Sequence, residues 1–74
     1  MNKFIQITEI IYIDDFLEGD REVLINLSSV KCIIQSDYKD DESNSLIMFN
    51  DGTEIEAYEN IPMIFDKITK IYPI

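Results

Sequence analysis

Residues 45–58 read SLIMFNDGTEIEAY, and this stretch decides the fold because it carries the clearest local structure signal in the chain. An apolar run is followed by Asn50-Asp51-Gly52 and then by alternating polar and apolar side chains. Asp-Gly between two such runs is typical of a β-hairpin, since a primed turn needs positive φ and glycine adopts it without steric cost. The sequence therefore predicts strands over 45–50 and 53–58.

Three further strands are predicted before this hairpin. Residues 3–13 read KFIQITEIIYI, in which β-branched residues are dense and Ile5 and Ile7 fall on one face. Residues 22–27 and 30–36 have the same character and are separated by two serines.

Alternation in the third strand predicts which way its cysteine points. Val30, Cys32 and Ile34 fall on one face, and Lys31, Ile33 and Gln35 fall on the other. We expect Cys32 to point inward as a core residue, because the chain contains no histidine that could activate its thiol.

The C-terminal segment has the pattern of one amphipathic helix over residues 60–71. Asn60 is a good N-cap, and Pro62 is tolerated in a first turn. The apolar stripe consists of Ile61, Ile64, Phe65, Ile68 and Ile71. The sequence thus predicts an α+β fold in a single domain, 1–74, with a small antiparallel β-meander of four to five strands and one C-terminal α-helix packed on the sheet.

Size and composition favour self-association. A chain of 74 residues forms a thin core, yet 46% of its residues are hydrophobic. Cys32 is the only cysteine, so no internal disulfide can form. We therefore expect a homo-oligomer, most simply a dimer, with residues 10–13 and Ile33 as candidate interface residues.

Acidic residues dominate the charge and are concentrated in three segments. The net charge is −9, and residues 14–22, 37–42 and 51–59 carry −4, −3 and −4. A field of this sign repels nucleic acid and anionic membranes and attracts basic protein surfaces. The expected partner is therefore a basic protein surface, with no direct nucleic-acid binding and no membrane binding; the alternative is that the acid serves only solubility.

Residues 14–22, DDFLEGDRE, and 37–44, DYKDDESN, read as loops, the first with a turn at Gly19-Asp20. We expect Phe16 and Leu17 to fold back onto the sheet, the alternative being that they stand out as contacts. Charged side chains on connecting loops can contact a partner without lowering the stability of the fold. The candidate partner-binding residues are Asp14, Asp15, Phe16, Leu17, Glu18, Asp20, Asp37, Tyr38, Asp40, Asp41 and Glu42.

Catalytic, metal and cofactor sites are not expected. The chain has no histidine and one cysteine, and the carboxylates of residues 37–42 do not follow the order of a calcium-binding EF-hand. The sequence therefore predicts a protein that is not an enzyme and needs no cofactor. The lone thiol and the lack of a signal-peptide pattern predict a cytoplasmic location.

Two local patterns carry a family resemblance. Residues 26–30, NLSSV, lead into a strand, and residues 45–49 precede Asn50-Asp51-Gly52, with Glu59 opening the helix. This arrangement resembles the FlbD-type family of small bacterial flagellar accessory proteins, which implies a non-catalytic role in assembly. The general character is also similar to small acidic phage-encoded inhibitor proteins.

Two functions are therefore expected as alternatives. In the first, the chain is an inhibitor or adaptor that docks on a basic protein, including one that itself binds nucleic acid. In the second, it is a structural or assembly accessory of the FlbD type that acts through hydrophobic self-association.

Overall fold

The computed structural model describes residues 3–14, 16–36 and 43–71, which form five strands and one α-helix. The predicted α+β fold class, with a five-stranded antiparallel sheet and a C-terminal helix packed on it, is confirmed. The elements are β1 (Phe4–Ile13), β2 (Phe16–Asn26), a single 3-10 turn (Leu27–Ser29), β3 (Val30–Gln35), β4 (Ser45–Phe49), β5 (Glu54–Ala57) and α1 (Ile61–Ile71).

The strand order in the sheet is β2-β1-β5-β4-β3. β2 and β3 lie at opposite edges although only Leu27–Ser29 joins them. Four residue steps span at most about 14 Å of extended chain, whereas a flat sheet of five strands is about 19 Å wide. The sheet must therefore curl so that its two edge strands approach each other at this turn.

The core fills the concave side of the curled sheet. Ile5 and Ile7 are buried, which confirms the alternation expected for β1. Ile25 lies opposite Ile5 on β2, so one face of this hairpin contributes to the core over several residues. The buried cluster consists of Ile5, Ile7, Ile25, Ile47, Ala57 and Ile64.

The helix begins at the expected N-cap, but the apolar face by which it packs on the sheet is narrower than expected. The side-chain oxygen of Asn60 accepts a hydrogen bond from the Met63 N–H at 2.9 Å, which is N-cap geometry. Ile64 is buried and Ile68 packs beside it, but Phe65 is exposed. Consecutive helical residues differ by about 100° in direction, so a face centred on Ile64 leaves Phe65 in solvent. Ile61, in the first turn, is also exposed.

Glu59 joins the start of the helix to the sheet. Its buried carboxylate accepts the Thr8 N–H at 2.9 and 3.2 Å, and the Tyr58 N–H donates to the Thr8 carbonyl at 2.9 Å. The hydroxyl of Ser45 donates to the Glu59 carbonyl at 2.8 Å. The Glu59 side chain therefore takes the place of a strand partner beyond the end of β5. It satisfies the part-buried Thr8 N–H, which would otherwise have no acceptor.

The β4–β5 hairpin is confirmed, but the expectation of a primed turn is wrong. Gly52 has φ +92°, and it is the only residue of the loop 50–52 with positive φ. The Gly52 N–H donates to the Phe49 carbonyl at 3.0 Å, and the Phe49 N–H donates to the Thr53 carbonyl at 2.8 Å. The loop therefore has three residues and closes through a left-handed glycine, the next commonest hairpin design.

The expectation that Cys32 points inward is also wrong. The register between β3 and β4 shifts between Val30 and Cys32, which leaves Lys31 as an extra residue. A β-bulge of this kind reverses the alternation beyond it. Val30 and Ile33 consequently both pack against the core, and Cys32 is exposed with its sulfur 3.6 Å from that of Met48. Ile33, expected at an interface, is thus partly a core residue.

Truncation of the helix at two positions should separate its docked face from its exposed face. Ile64→Ala should lower the free energy of unfolding by about 2–5 kcal/mol, because it empties a fully packed site. Phe65→Ala on the same helix should change it by less than about 1 kcal/mol, since Phe65 is exposed. Urea denaturation measures both. Equal losses for the two variants would contradict the docking of α1 through Ile64.

The hairpin loop should respond to acid through Asp51. The hydroxyl of Thr53 donates to the Asp51 carboxylate at 2.6 Å and the Thr53 N–H donates at 2.9 Å, and these bonds lower the pKa of Asp51. A depressed pKa contributes stability above the unfolded-state pKa of about 3.9, and this contribution is lost as pH falls through the folded-state pKa. Thr53→Val should raise the pKa of Asp51 in an NMR titration of its carboxyl carbon. An unchanged pKa would contradict this role of the hydroxyl.

Candidate protein-binding site

The hairpin of β1 and β2 extends beyond the rest of the sheet. Among the described residues, β5 pairs with β1 at Glu9 and Ile10, whereas β1 continues to Ile13. Residues 11–14 and 16–19 therefore have strand pairing only with each other, and we call them the arm. The molecule measures 39 Å along its longest axis and 24 and 19 Å along the others, as expected when one hairpin projects.

The arm replaces the loop and turn predicted over residues 14–22. The chain reverses next to Asp14, whose φ is 53°, and Gly19 lies within β2 opposite Ile11. Aspartate adopts the left-handed region more readily than most residues, so it can occupy such a turn. Ile13 pairs with Phe16 across the strands, and apolar cross-strand pairs favour strand over loop. Large apolar residues on both sides of two adjacent aspartates were the signal for this turn.

The tip of the arm exposes three large apolar side chains. The exposed fractions are 77% for Phe16, 54% for Ile13 and 48% for Leu17. The expectation that Phe16 and Leu17 fold back onto the sheet is therefore wrong, because the strands carry them beyond the core. Ile13 and Phe16 lie opposite each other on one face, and Leu17 lies opposite Tyr12.

Carboxylates lie next to this apolar tip along the chain and at the base of the arm. Asp14, Glu18 and Asp20 are all exposed. Arg21, at the base of the arm, donates from Nε to the Glu9 carboxylate at 2.8 Å, so its charge is matched within the protein. The register shift between Ile11 and Tyr12 leaves Glu18 as the extra residue of β2. The described part of the arm therefore combines apolar contact area with uncompensated negative charge.

The structure brings together one group of the sequence-predicted site residues. Asp14, Phe16, Leu17, Glu18 and Asp20 lie on the arm and its base. The sequence analysis placed Ile13 on a candidate self-association surface and did not group it with Phe16, which it faces across the two strands. The remaining candidates, Asp15, Asp37, Tyr38, Asp40, Asp41 and Glu42, lie outside the described residues.

A shallow cleft of roughly 360 Å³ lies between the 3-10 turn and the β4–β5 loop. Its polar groups bond to one another. The Asn50 N–H donates to the Ser29 carbonyl at 2.9 Å, and the Thr53 hydroxyl bonds to Asp51. The cleft is therefore the place where the 3-10 turn and the β4–β5 loop are hydrogen-bonded to each other. In the described ranges, no group of three or more histidine, cysteine, aspartate or glutamate side chains is arranged to hold a metal ion.

No family model, curated protein or solved structure matches this chain. Within the described residues, α1 is the one α-helix, and it is too short and too polar to cross a bilayer.

If the tip serves binding and not folding, its removal should leave stability intact. The double variant Phe16→Ala, Leu17→Ala should change the free energy of unfolding by less than about 1 kcal/mol, since both side chains are largely in solvent. Ile7→Ala, on the same hairpin but fully buried, should cost about 2–5 kcal/mol. Chemical denaturation compares them. A loss in the double variant as large as that of Ile7→Ala would show that the tip packs against the fold.

Proposed function

We propose that this chain is a non-enzymatic protein-binding module, an inhibitor or adaptor, that docks through its arm on a basic protein. The observation that carries this proposal is the 77% exposure of Phe16 at the end of a hydrogen-bonded hairpin that also exposes Asp14 and Glu18. An aromatic side chain that stays in water does not stabilise the fold, whereas buried aromatic side chains dominate the binding energy of protein interfaces.

The apolar tip supplies the affinity in this proposal. Burial of a large apolar side chain contributes about 1.5–3 kcal/mol, so Phe16, Ile13 and Leu17 together supply a gross gain of the order of 6 kcal/mol. Association also costs several kcal/mol in lost freedom. Because the arm is an ordered hairpin, less conformational entropy is lost than for a flexible loop.

The carboxylates supply steering and selectivity. A net charge of −9 raises the encounter rate with a positive surface and opposes encounters with negative ones. Proteins that hold nucleic acid present lysine and arginine to phosphate. A module of this charge that covers such a surface would block access to nucleic acid, which is how it would inhibit.

A second candidate is an assembly accessory of the FlbD type that associates with copies of itself. The observation that favours it is the outward side of β3 and β4, where Cys32 and Ile34 are exposed. Neither of these two strands contains a carboxylate, although Glu54 and Glu56 of the neighbouring β5 lie opposite Met48 and Leu46. Apolar contacts between copies are insensitive to salt, whereas charge-driven docking weakens as salt is added.

The experiment captures partners from the native host, identifies them by mass spectrometry and measures their binding kinetics with matched variants. Asp14→Asn with Glu18→Gln should slow association several-fold and flatten its salt dependence. Phe16→Ala should raise the dissociation constant at least tenfold, as for a central anchor. Glu54→Gln with Asp66→Asn removes the same charge away from the arm and should leave the dissociation rate unchanged.

The arm mechanism is wrong if Phe16→Ala binds the partner as tightly as the parent chain does. Partner binding that is indifferent to salt and to the Asp14 and Glu18 changes would favour the accessory role. In that case light scattering of the chain alone should give a mass above that of the monomer.

A further inference from the structure

The outer edge of β2 is the longest unpaired strand edge that the structure describes. β2 is an end strand of the sheet, and of the described strands only β1 pairs with it. Only three residues separate the end of β2 from the start of β3, but β3 does not continue beside β2. Such an edge presents a row of backbone donors and acceptors that can pair with another chain.

The ladder of β1 and β2 determines which backbone groups face this edge. The Leu27 N–H donates to the Lys3 carbonyl at 2.9 Å, which makes these two residues a hydrogen-bonded pair. Such pairs recur at every second residue of an antiparallel ladder. Val23 and Ile25 therefore bond to β1, and the N–H and C=O groups of Asp20, Glu22 and Leu24 point to the free edge.

The side chains of Asp20, Glu22 and Leu24 lie on the face turned away from the core. Ile25 is buried and Val23 packs against the core, so the alternate residues point outward. Leu24 is 70% exposed. Arg21 lies on the other face of the strand, where it pairs with Glu9. The free edge therefore presents two carboxylates followed by one apolar side chain, in register with its free backbone groups.

We propose that the β2 edge binds an extended basic segment of the partner by antiparallel strand addition. Lysine or arginine side chains of that segment lie beside Asp20 and Glu22, and an apolar side chain lies beside Leu24. This inference rests on the proposed function, because the edge forms the base of the same arm. Main-chain bonds supply affinity in this mode, and the alternating side chains supply selectivity.

Charge selects this occupant over a second copy of the chain. In a symmetric β2–β2 pairing centred on Arg21, Asp20 of each copy lies opposite Glu22 of the other. Like charges directly opposite each other destabilise a strand pair. The same two carboxylates favour a segment with cations at alternate positions.

The test uses the full chain and the synthetic peptide acetyl-Thr-Val-Thr-Lys-Thr-Lys-Thr-amide. In antiparallel pairing its valine lies beside Leu24 and its lysines lie beside Glu22 and Asp20, with the N–H groups of these three peptide residues directed at β2. One derivative is N-methylated at the valine and both lysines. The matched derivative is N-methylated at the three threonines that follow the valine and the lysines, so both carry the same charge and number of methyl groups.

We expect the unmodified peptide and the threonine-methylated peptide to bind, and the valine- and lysine-methylated peptide to bind at least tenfold more weakly. Hydrogen exchange at the amides of Asp20, Glu22 and Leu24 should slow when the peptide is bound. Leu24→Pro removes one outward N–H and should weaken binding several-fold, whereas Leu24→Ala keeps that donor and should have a smaller effect. If Leu24→Pro does not fold, the comparison of the two methylated peptides still tests strand addition.

Equal binding of the two methylated peptides would overturn strand addition and leave a purely electrostatic contact, without touching the proposed function. No binding of the unmodified peptide would also overturn it, and the carboxylates would then only guard the edge against pairing. The proposed function is tested separately, by measuring how tightly Phe16→Ala binds the captured partner.

Discussion

The structure depends on β1 being hydrogen-bonded along both of its edges. On one side it forms the ladder with β2, and on the other Thr8 accepts from Tyr58 and donates to the carboxylate of Glu59. The carboxylate lies at the point where β5 ends and α1 is about to begin. The Glu59 side chain therefore ties β1 to the segment between β5 and α1, and the Glu59 carbonyl ties the same segment to Ser45 of β4.

The same arrangement produces the arm. β1 has 10 residues and β2 has 11, but β5 has only four, so the sheet stops while the first hairpin continues. Helix α1 packs against β1 and β3 through its own Ile64, Ile68 and Ile71, and the apolar side chains at the tip of the arm stay exposed. The exposed positions of Ile13 and Phe16 thus follow from the greater length of β1 and β2 compared with β5.

Local features of the sequence predicted most of the elements. The alternation of Ile5 and Ile7, the positive φ of Gly52 and the Asn60 cap each depend on a few neighbouring residues. The errors arose where pairing between strands, and not the pattern within one strand, decides the outcome. Cys32 faces outward because β3 acquires a bulge against β4, and alternation within β3 alone cannot reveal it. The acidic composition of residues 14–22 predicts a loop for Phe16 and Leu17. Their pairing with Ile13 and Tyr12 places them in a strand.

The exposed tip and the acidic charge depend on each other physically. An apolar cluster on a projecting hairpin would draw copies of this chain together, since an exposed patch and a free strand edge both promote association. Asp14 and Glu18 adjoin that cluster along the chain, and Asp20 lies at the base of the arm, so the approach of a second acidic chain brings carboxylate toward carboxylate. The same charges assist the approach of a cationic surface. Under the proposed docking role, solubility and selectivity are not alternative explanations of the charge, because repulsion between copies would leave the tip available to a basic partner.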